Sequence, residues 1–274
     1  MLLVWLAASL FAGWAQGATV VAPEHHPWAR FRPGAWKLVR VVTETLDEQG
    51  RVSSTSITET KTTLLKVEQD GAVLEVRVTV EVAGKRFEVE PQVIKQGFHG
   101  ELVCPELKVK ETTPGQVTVE GRKIPCQIVA IECSSASSKT ATNVYYSKSV
   151  PPFVLKRESV TAGLDGSDVQ NETAAETMAL DMPFRVMSET YATALTRTVQ
   201  KLPKGTTTTW ANTTTDVPGG VISHSSKEVD ADGRLVRRST LELVDYGLEP
   251  QERRPGLFGR IRSGPLLPLR PKPR

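Results

Sequence analysis

The chain has 274 residues, of which 39% are apolar, 24% charged and 6% aromatic, with a formal net charge of +3. That length suffices for one large β domain or two small ones with a buried core. Seven cations against Glu252 put +6 on residues 251–274, so the remainder is −3 and no nucleic-acid partner is expected.

The first 17 residues carry no charged side chain and run from Leu2-Leu3-Val4-Trp5-Leu6 to Ala15-Gln16-Gly17. An apolar run closed by small residues, with Ala15 and Gly17 at −3 and −1 of a cut before Ala18, reads as a signal peptide. It lacks the usual basic start, but it is shorter than the ~20 apolar residues of a membrane span. The first cysteine, Cys104, is too distant to anchor a lipid. Residues 1–17 are therefore expected to direct export to the periplasm or the extracellular space, with no transmembrane helix in the mature chain. Residues 18–29 are expected to form a flexible arm, its His25-His26 pair solvated rather than metal-binding.

From Trp36 onward, apolar and polar residues alternate with the period of half-buried strands. Residues 36–44, 73–82, 123–132, 142–147, 150–160 and 239–243 follow this pattern. Between them fall turn signals such as Gln49-Gly50, Asp70-Gly71, Glu120-Gly121, Asp165-Gly166 and Asp232-Gly233, where Gly supplies the positive φ of tight hairpins. The pattern predicts an all-β, antiparallel fold built from hairpins, with little helix. Residues 187–202 could start a helix at Ser188. Their Thr content and the alternation through Tyr191, Leu195 and Val199 favour a strand.

Three cysteines in an exported chain suggest one bridge and one spare thiol. Residues 107–111 and 116–119 flank Thr112-Thr113-Pro114-Gly115, read as a turn, and extending that hairpin outward brings Cys104 near Cys126. The expected bridge is Cys104–Cys126, with Cys133 buried and free.

A faint internal repeat organises the middle of the chain. Val150-Pro151-Pro152-Phe153-Val154-Leu155 aligns with Val217-Pro218-Gly219-Gly220-Val221-Ile222, offset by 67 residues. Asp47-Glu48-Gln49-Gly50-Arg51 likewise resembles Asp230-Ala231-Asp232-Gly233-Arg234. Proline fixes φ and removes a ladder donor, so Val150, Pro151 and Val154, with Val217, Pro218 and Val221, are expected to mark bends. The chain divides on this reading into residues 30–176, a β domain or first repeat, and residues 177–250, a second repeat of the same sheet.

With its Trp/Tyr–Ser/Thr–x–Val-Pro-x-x-Val runs on successive hairpins, the chain resembles uncharacterised secreted β-rich bacterial proteins. Their architecture is similar to the LolA/LolB-type lipoprotein-carrier half-barrel. The resemblance implies a curved sheet able to cup an acyl chain, and it transfers no ligand site residue by residue.

No reactive set is apparent. None of His25, His26, His99 and His224 has metal-ligand spacing. His224 beside Ser223 and Ser225 lacks a nucleophile elbow to supply an oxyanion hole. Cys133 has no neighbour in Ile131-Glu132-Cys133-Ser134 that would stabilise a thiolate. No catalytic residue, cofactor or metal is assigned.

Beyond Pro250, prolines and like charges predict a disordered tail. Arg253, Arg254, Arg260, Arg262, Arg270, Lys272 and Arg274 are candidates for contact with an anionic surface. The expected function is that of an exported, non-catalytic envelope protein binding a lipid or acylated component. The alternative is a structural protein that docks envelope partners through strand edges and its tail; a hydrolase is the less favoured third reading.

Overall fold

The computed structural model describes residues 21–99, 106–166 and 168–249; the signal-like segment, Cys104 and all seven cations of the tail lie outside them. The chain is all-β, as the alternation predicts. Strands β1 (Trp36–Leu46), β2 (Val52–Glu68), β3 (Gly71–Val82), β4 (Lys85–Glu88) and β5 (Gln92–Gly97) form the first part. Then come β6 (Glu106–Val119), β7 (Arg122–Ser134), β8 (Ser138–Tyr146), β9 (Val154–Gly163) and β10 (Val169–Val186). The last four are β11 (Glu189–Leu202), β12 (Gly205–Thr213), β13 (Val221–Asp230) and β14 (Leu235–Gly247).

All fourteen belong to one antiparallel sheet of order β4-β3-β2-β1-β14-β13-β12-β11-β10-β9-β8-β7-β6, with β5 also paired to β3. Nearly every neighbour is a hairpin partner. The exceptions are β5 against β3, and β1 against β14, which joins the first and last strands in mid-sheet. The expected boundary at residues 176 and 177 falls inside β10, so it divides a strand rather than two units.

Most expected turns form where Gly follows Gln, Asp or Glu. Thr112–Gly115 does not: it lies within β6, and the hairpin turns at Glu120-Gly121 instead. Two physical reasons stand out. β6 is an edge strand, where a proline without N–H is tolerated. Gly115 admits the side chain of Ile128, whose Cδ1 would lie 2.5 Å from any Cβ placed there. The shifted turn changes the register, setting Cys126 opposite Gly115 and Cys133 opposite Leu107. Cys126 is a buried free thiol and Cys133 is disulfide-bonded, which corrects the expected Cys104–Cys126 bridge with Cys133 free.

The sheet is curved and unclosed. Arg157 on β9 donates to the carbonyl of His99, just past β5, at 2.9 Å, although seven strands separate β3 from β9 in the sheet order. Into this concavity packs the segment 21–31, including a single 3-10 turn at Pro23–His25. Val21 joins Val129, Ile131, Val144 and Tyr146 in one core cluster, and Trp28 joins Leu64, Ala72 and Leu74 in another. The expected flexible arm is thus corrected over these residues. His26 is 1% exposed, enclosed by the backbone of its own turn and by Gly97, Phe98 and His99 just past β5.

Candidate functional site

The two Val-Pro bends are built alike. Ser147 N–H donates to the Phe153 carbonyl at 2.7 Å, and Thr214 N–H to that of Gly220 at 2.9 Å. Phe153 N–H donates to the Val150 carbonyl and Gly220 N–H to that of Val217, each at 2.9 Å. Tyr146 pairs with Val154 as Thr213 pairs with Val221, so every correspondence keeps the 67-residue offset of the sequence repeat. Phe153 and Gly220 share a positive φ, 72° and 74°. A non-Gly residue held there carries strain, and the Phe153 ring is used: it stacks on His25 with centroids 3.9 Å apart.

Both bends hold the N-terminal segment. His25 Nδ1 lies 2.6 Å from the Tyr146 hydroxyl. On the other side, Gly219 N–H donates to the Pro27 carbonyl at 2.8 Å. The Trp28 ring lies beside Gly219, and the Lys37 ammonium sits over that ring, 5.7 Å from its centroid. Lys37 donates to the carbonyls of Gly219 and Val221, both at 3.4 Å. Burial pushes its ammonium down from 10.5 to about 8.

Between the N-terminal segment, the residues after β5 and the two bends lies a cavity of about 350 Å³. Val21, Phe98, Val154 and Leu155 give it apolar walls, and Thr196 with Thr213–Thr215 lines its far side. A second cavity of about 320 Å³ adjoins it across Pro152 and Thr213–Thr215, with Val150 and Pro151 in its wall. Of the six bend residues singled out in the sequence, Val154 and Val221 line the first cavity and Val150 and Pro151 the second. Val217, fully buried, and Pro218 stand behind them in the core.

The first cavity gathers side chains of basic type. His25, His26, His99, Arg30, Lys156 and Arg157 line it, and no Asp or Glu does so among the described residues. Lys156 is compensated by Glu158 at 2.9 Å. His26 Nδ1 accepts the backbone N–H groups of Trp28 and Ala29 at 3.3 and 3.1 Å, so the neutral ring carries its proton on Nε2. Burial pulls this imidazole from 6.5 to about 4; the Gly97 carbonyl opposes that, and His99 lowers it further. The Gly97 carbonyl faces the ring without meeting hydrogen-bond geometry, and Nε2 is left as a buried donor with no acceptor.

Sequence reasoning missed this cluster, because its cations come from segments far apart in the chain. The only local hint was the adjacent pair His25-His26. His224 lies elsewhere, on β13 opposite Ala211 and Leu241, with burial lowering its pKa and no carboxylate at its ring among the described residues. No group of His, Cys, Asp and Glu suited to a metal occurs among the described residues. No helix there is long and apolar enough to cross a membrane.

No family model matches the chain, and no curated protein matches its sequence. Two solved structures share a likeness of shape. One, from Bacteroides fragilis, is described as an exported protein with a YmcC-like fold; it has 9% identity and a TM-score of 0.31, covering 79% of this chain and 97% of its own. The other, described as a lipoprotein of Parabacteroides distasonis, has 12% identity and a TM-score of 0.29, covering 78% and 97%.

Proposed function

We propose that this chain is an exported, non-catalytic envelope protein that holds an apolar, acyl-bearing ligand in the cavity between its two Val-Pro bends. The observation that supports this most is the cavity itself. Its volume of about 350 Å³ and its apolar walls match the sites that small ligands fill, roughly 300–1,000 Å³. The signal-like residues 1–17 support export.

The test is organic extraction of the purified protein followed by mass spectrometry, together with titration by a fluorescent fatty acid. Release of an acyl species, or saturable uptake of the probe, is expected. A ligand-free protein that ignores the probe overturns the reading.

A second reading, docking of envelope proteins along strand edges, draws on Phe87 and Val93. These lie on β4 and β5 at one margin of the sheet and are 55% and 64% exposed. Exposed apolar edges invite pairing with another chain. It predicts co-purifying proteins rather than lipid.

A further inference from the structure

We propose that the ligand is a zwitterionic lipid, whose apolar chain fills the first cavity and whose phosphate-and-ammonium head fills the second. The inference rests on the reading of the first cavity as an acyl site and adds the head group. Continuity is its first ground. Pro152 and Thr213–Thr215 line both cavities, so a molecule filling one reaches the other across this shared wall. The two differ in kind. Val21, Phe98, Val154 and Leu155 give the first its apolar walls, whereas Arg122, Asp181 and Asp216 line the second beside Ser149, Thr193 and Thr214. An apolar compartment joined to one with a few placed polar groups suits an amphiphile.

The second ground is charge of both signs without partners. Among the described residues, neither Arg122 nor Asp181 makes an ion pair or a side-chain hydrogen bond. The Asp216 carboxylate meets only the Thr214 hydroxyl, at 3.4 Å. Opposite charges that face one cavity without touching leave room for a group between them. A guanidinium takes a phosphate through its planar fork, and the two carboxylates suit an ammonium. A head of one sign alone would meet a like charge here; a zwitterion satisfies both.

The third ground is how these charges are delivered. Between Ala179, opposite Leu195, and Met182, opposite Thr193, the register of β10 slips, so Leu180 and Asp181 bulge against Ala194. Asp181 has φ 54°, which few non-Gly residues adopt. Bulges of this kind re-aim a side chain. The Glu120 carboxylate clamps the bulge by accepting Leu180 N–H at 3.0 Å, and Glu120 belongs to the turn that leads into Arg122 at the start of β7. One contact thus sets the cation and a carboxylate at the same cavity. All three charged residues are exposed, while Thr193 and Thr214 are buried.

The experiment displaces a fluorescent acyl probe from the delipidated full chain with three single-chain dodecanoyl lipids. These are the zwitterionic glycerophosphoethanolamine, the anionic glycerophosphate and the neutral glycerol ester. The zwitterion should bind about fivefold more tightly than either of the others, the upper range for an exposed ion pair. Arg122→Gln should weaken the zwitterion about fivefold, and so should Asp181→Asn combined with Asp216→Asn. The double substitution should tighten the anion, and neither variant should move the glycerol ester. If a variant loses the glycerol ester as well, the preference of the native chain and its shrinkage at high salt decide. Equal binding of the three lipids, tighter binding of the anion or the ester, or an undiminished preference in both variants overturns the head-group site while the apolar reading stands. Failure of all three to displace the probe overturns both.

Discussion

Asp47 and Asp230, from opposite ends of the chain, close two turns of the same construction. One carboxylate oxygen of Asp47 accepts the N–H groups of Gln49 and Arg51, both at 2.9 Å, and the other accepts Arg51 Nε at 3.1 Å. Asp230 does the same with Asp232, Arg234 and the Arg234 guanidinium at 2.9–3.0 Å. The two turns sit side by side because β1 pairs with β14. With the two Val-Pro bends, they show that a short strand–turn grammar is reused along one sheet.

Gly50 and Gly233 complete these turns at φ 75° and 81°, each with nothing within 4 Å of a Cβ. Gly50→Ala and Gly233→Ala should therefore pay only for the left-handed backbone, about 1 kcal/mol each. Urea denaturation should show two nearly equal, additive losses. Unequal losses would mean that the turns are not energetically alike.

His26 sets an acid limit on stability. Its folded pKa, about 4, lies below its ordinary 6.5, so the unfolded chain binds the proton more readily. Its contribution is complete above pH 6.5 and is lost as pH falls towards 4, by about 3 kcal/mol at most. Glu68, held at about 2 by Lys66 and Lys95, begins to weaken the fold only as pH falls through 4.5, at the lower end of this window. Denaturant midpoints between pH 7 and 4 should fall in the native chain and fall less in His26→Gln.

What the sequence made legible was the local part of this fold. Asp-Gly and Glu-Gly turns and period-2 strands carry their signals in adjacent residues. Met187-Ser188 escaped because this hairpin turn takes φ of 52° and 71° without a glycine. Pro114-Gly115 misled because an edge strand accommodates the pair. A bulge between Val109 and Glu111 then turns β6 over, so Leu107 and Val109 join one core cluster and Val117 and Val119 another. The cavity was illegible for a deeper reason: His26, His99 and Arg157 meet only because the sheet curls, and no local pattern encodes that curl.

Lys37 weakens the fold at neutral pH. Its ammonium has carbonyls and an aromatic ring for partners, and its pKa of about 8 records the burial. Lys37→Met should stabilise the protein at pH 7 by roughly 1–3 kcal/mol, allowing for partial exposure. The folded pKa is depressed, so the native chain recovers stability as pH rises from about 8 to 10.5, and the advantage of methionine shrinks over that range. Chemical denaturation at pH 7 and pH 10 measures the difference.

The cysteines should behave unequally. Burial raises the Cys126 thiol, which disfavours the reactive thiolate. Without reductant, a thiol reagent should label Cys126 slowly in the native protein and at once in denaturant. Non-reducing peptide mapping should find Cys133 in a disulfide-linked peptide and Cys126 in a linear one. Labelling of Cys133 in unreduced protein would contradict this.

The hold on the N-terminal segment can be loosened at one glycine and not at its neighbour. Gly219 and Gly220 both have φ 74°, so alanine at either strains the backbone by about 1–2 kcal/mol. They differ in their surroundings. A Cβ on Gly219 would lie 2.8 Å from the Trp28 ring and from Lys37 Nζ, whereas one on Gly220 meets nothing closer than 3.6 Å. Gly219→Ala must displace Trp28, and with it the Pro27 carbonyl that Gly219 N–H holds. Hydrogen exchange over residues 21–31 should therefore speed up in Gly219→Ala well beyond Gly220→Ala, even if their global stabilities are matched by denaturant. If the two variants protect the segment equally, Trp28 is not what anchors it, and the stack of His25 on Phe153 carries the hold instead.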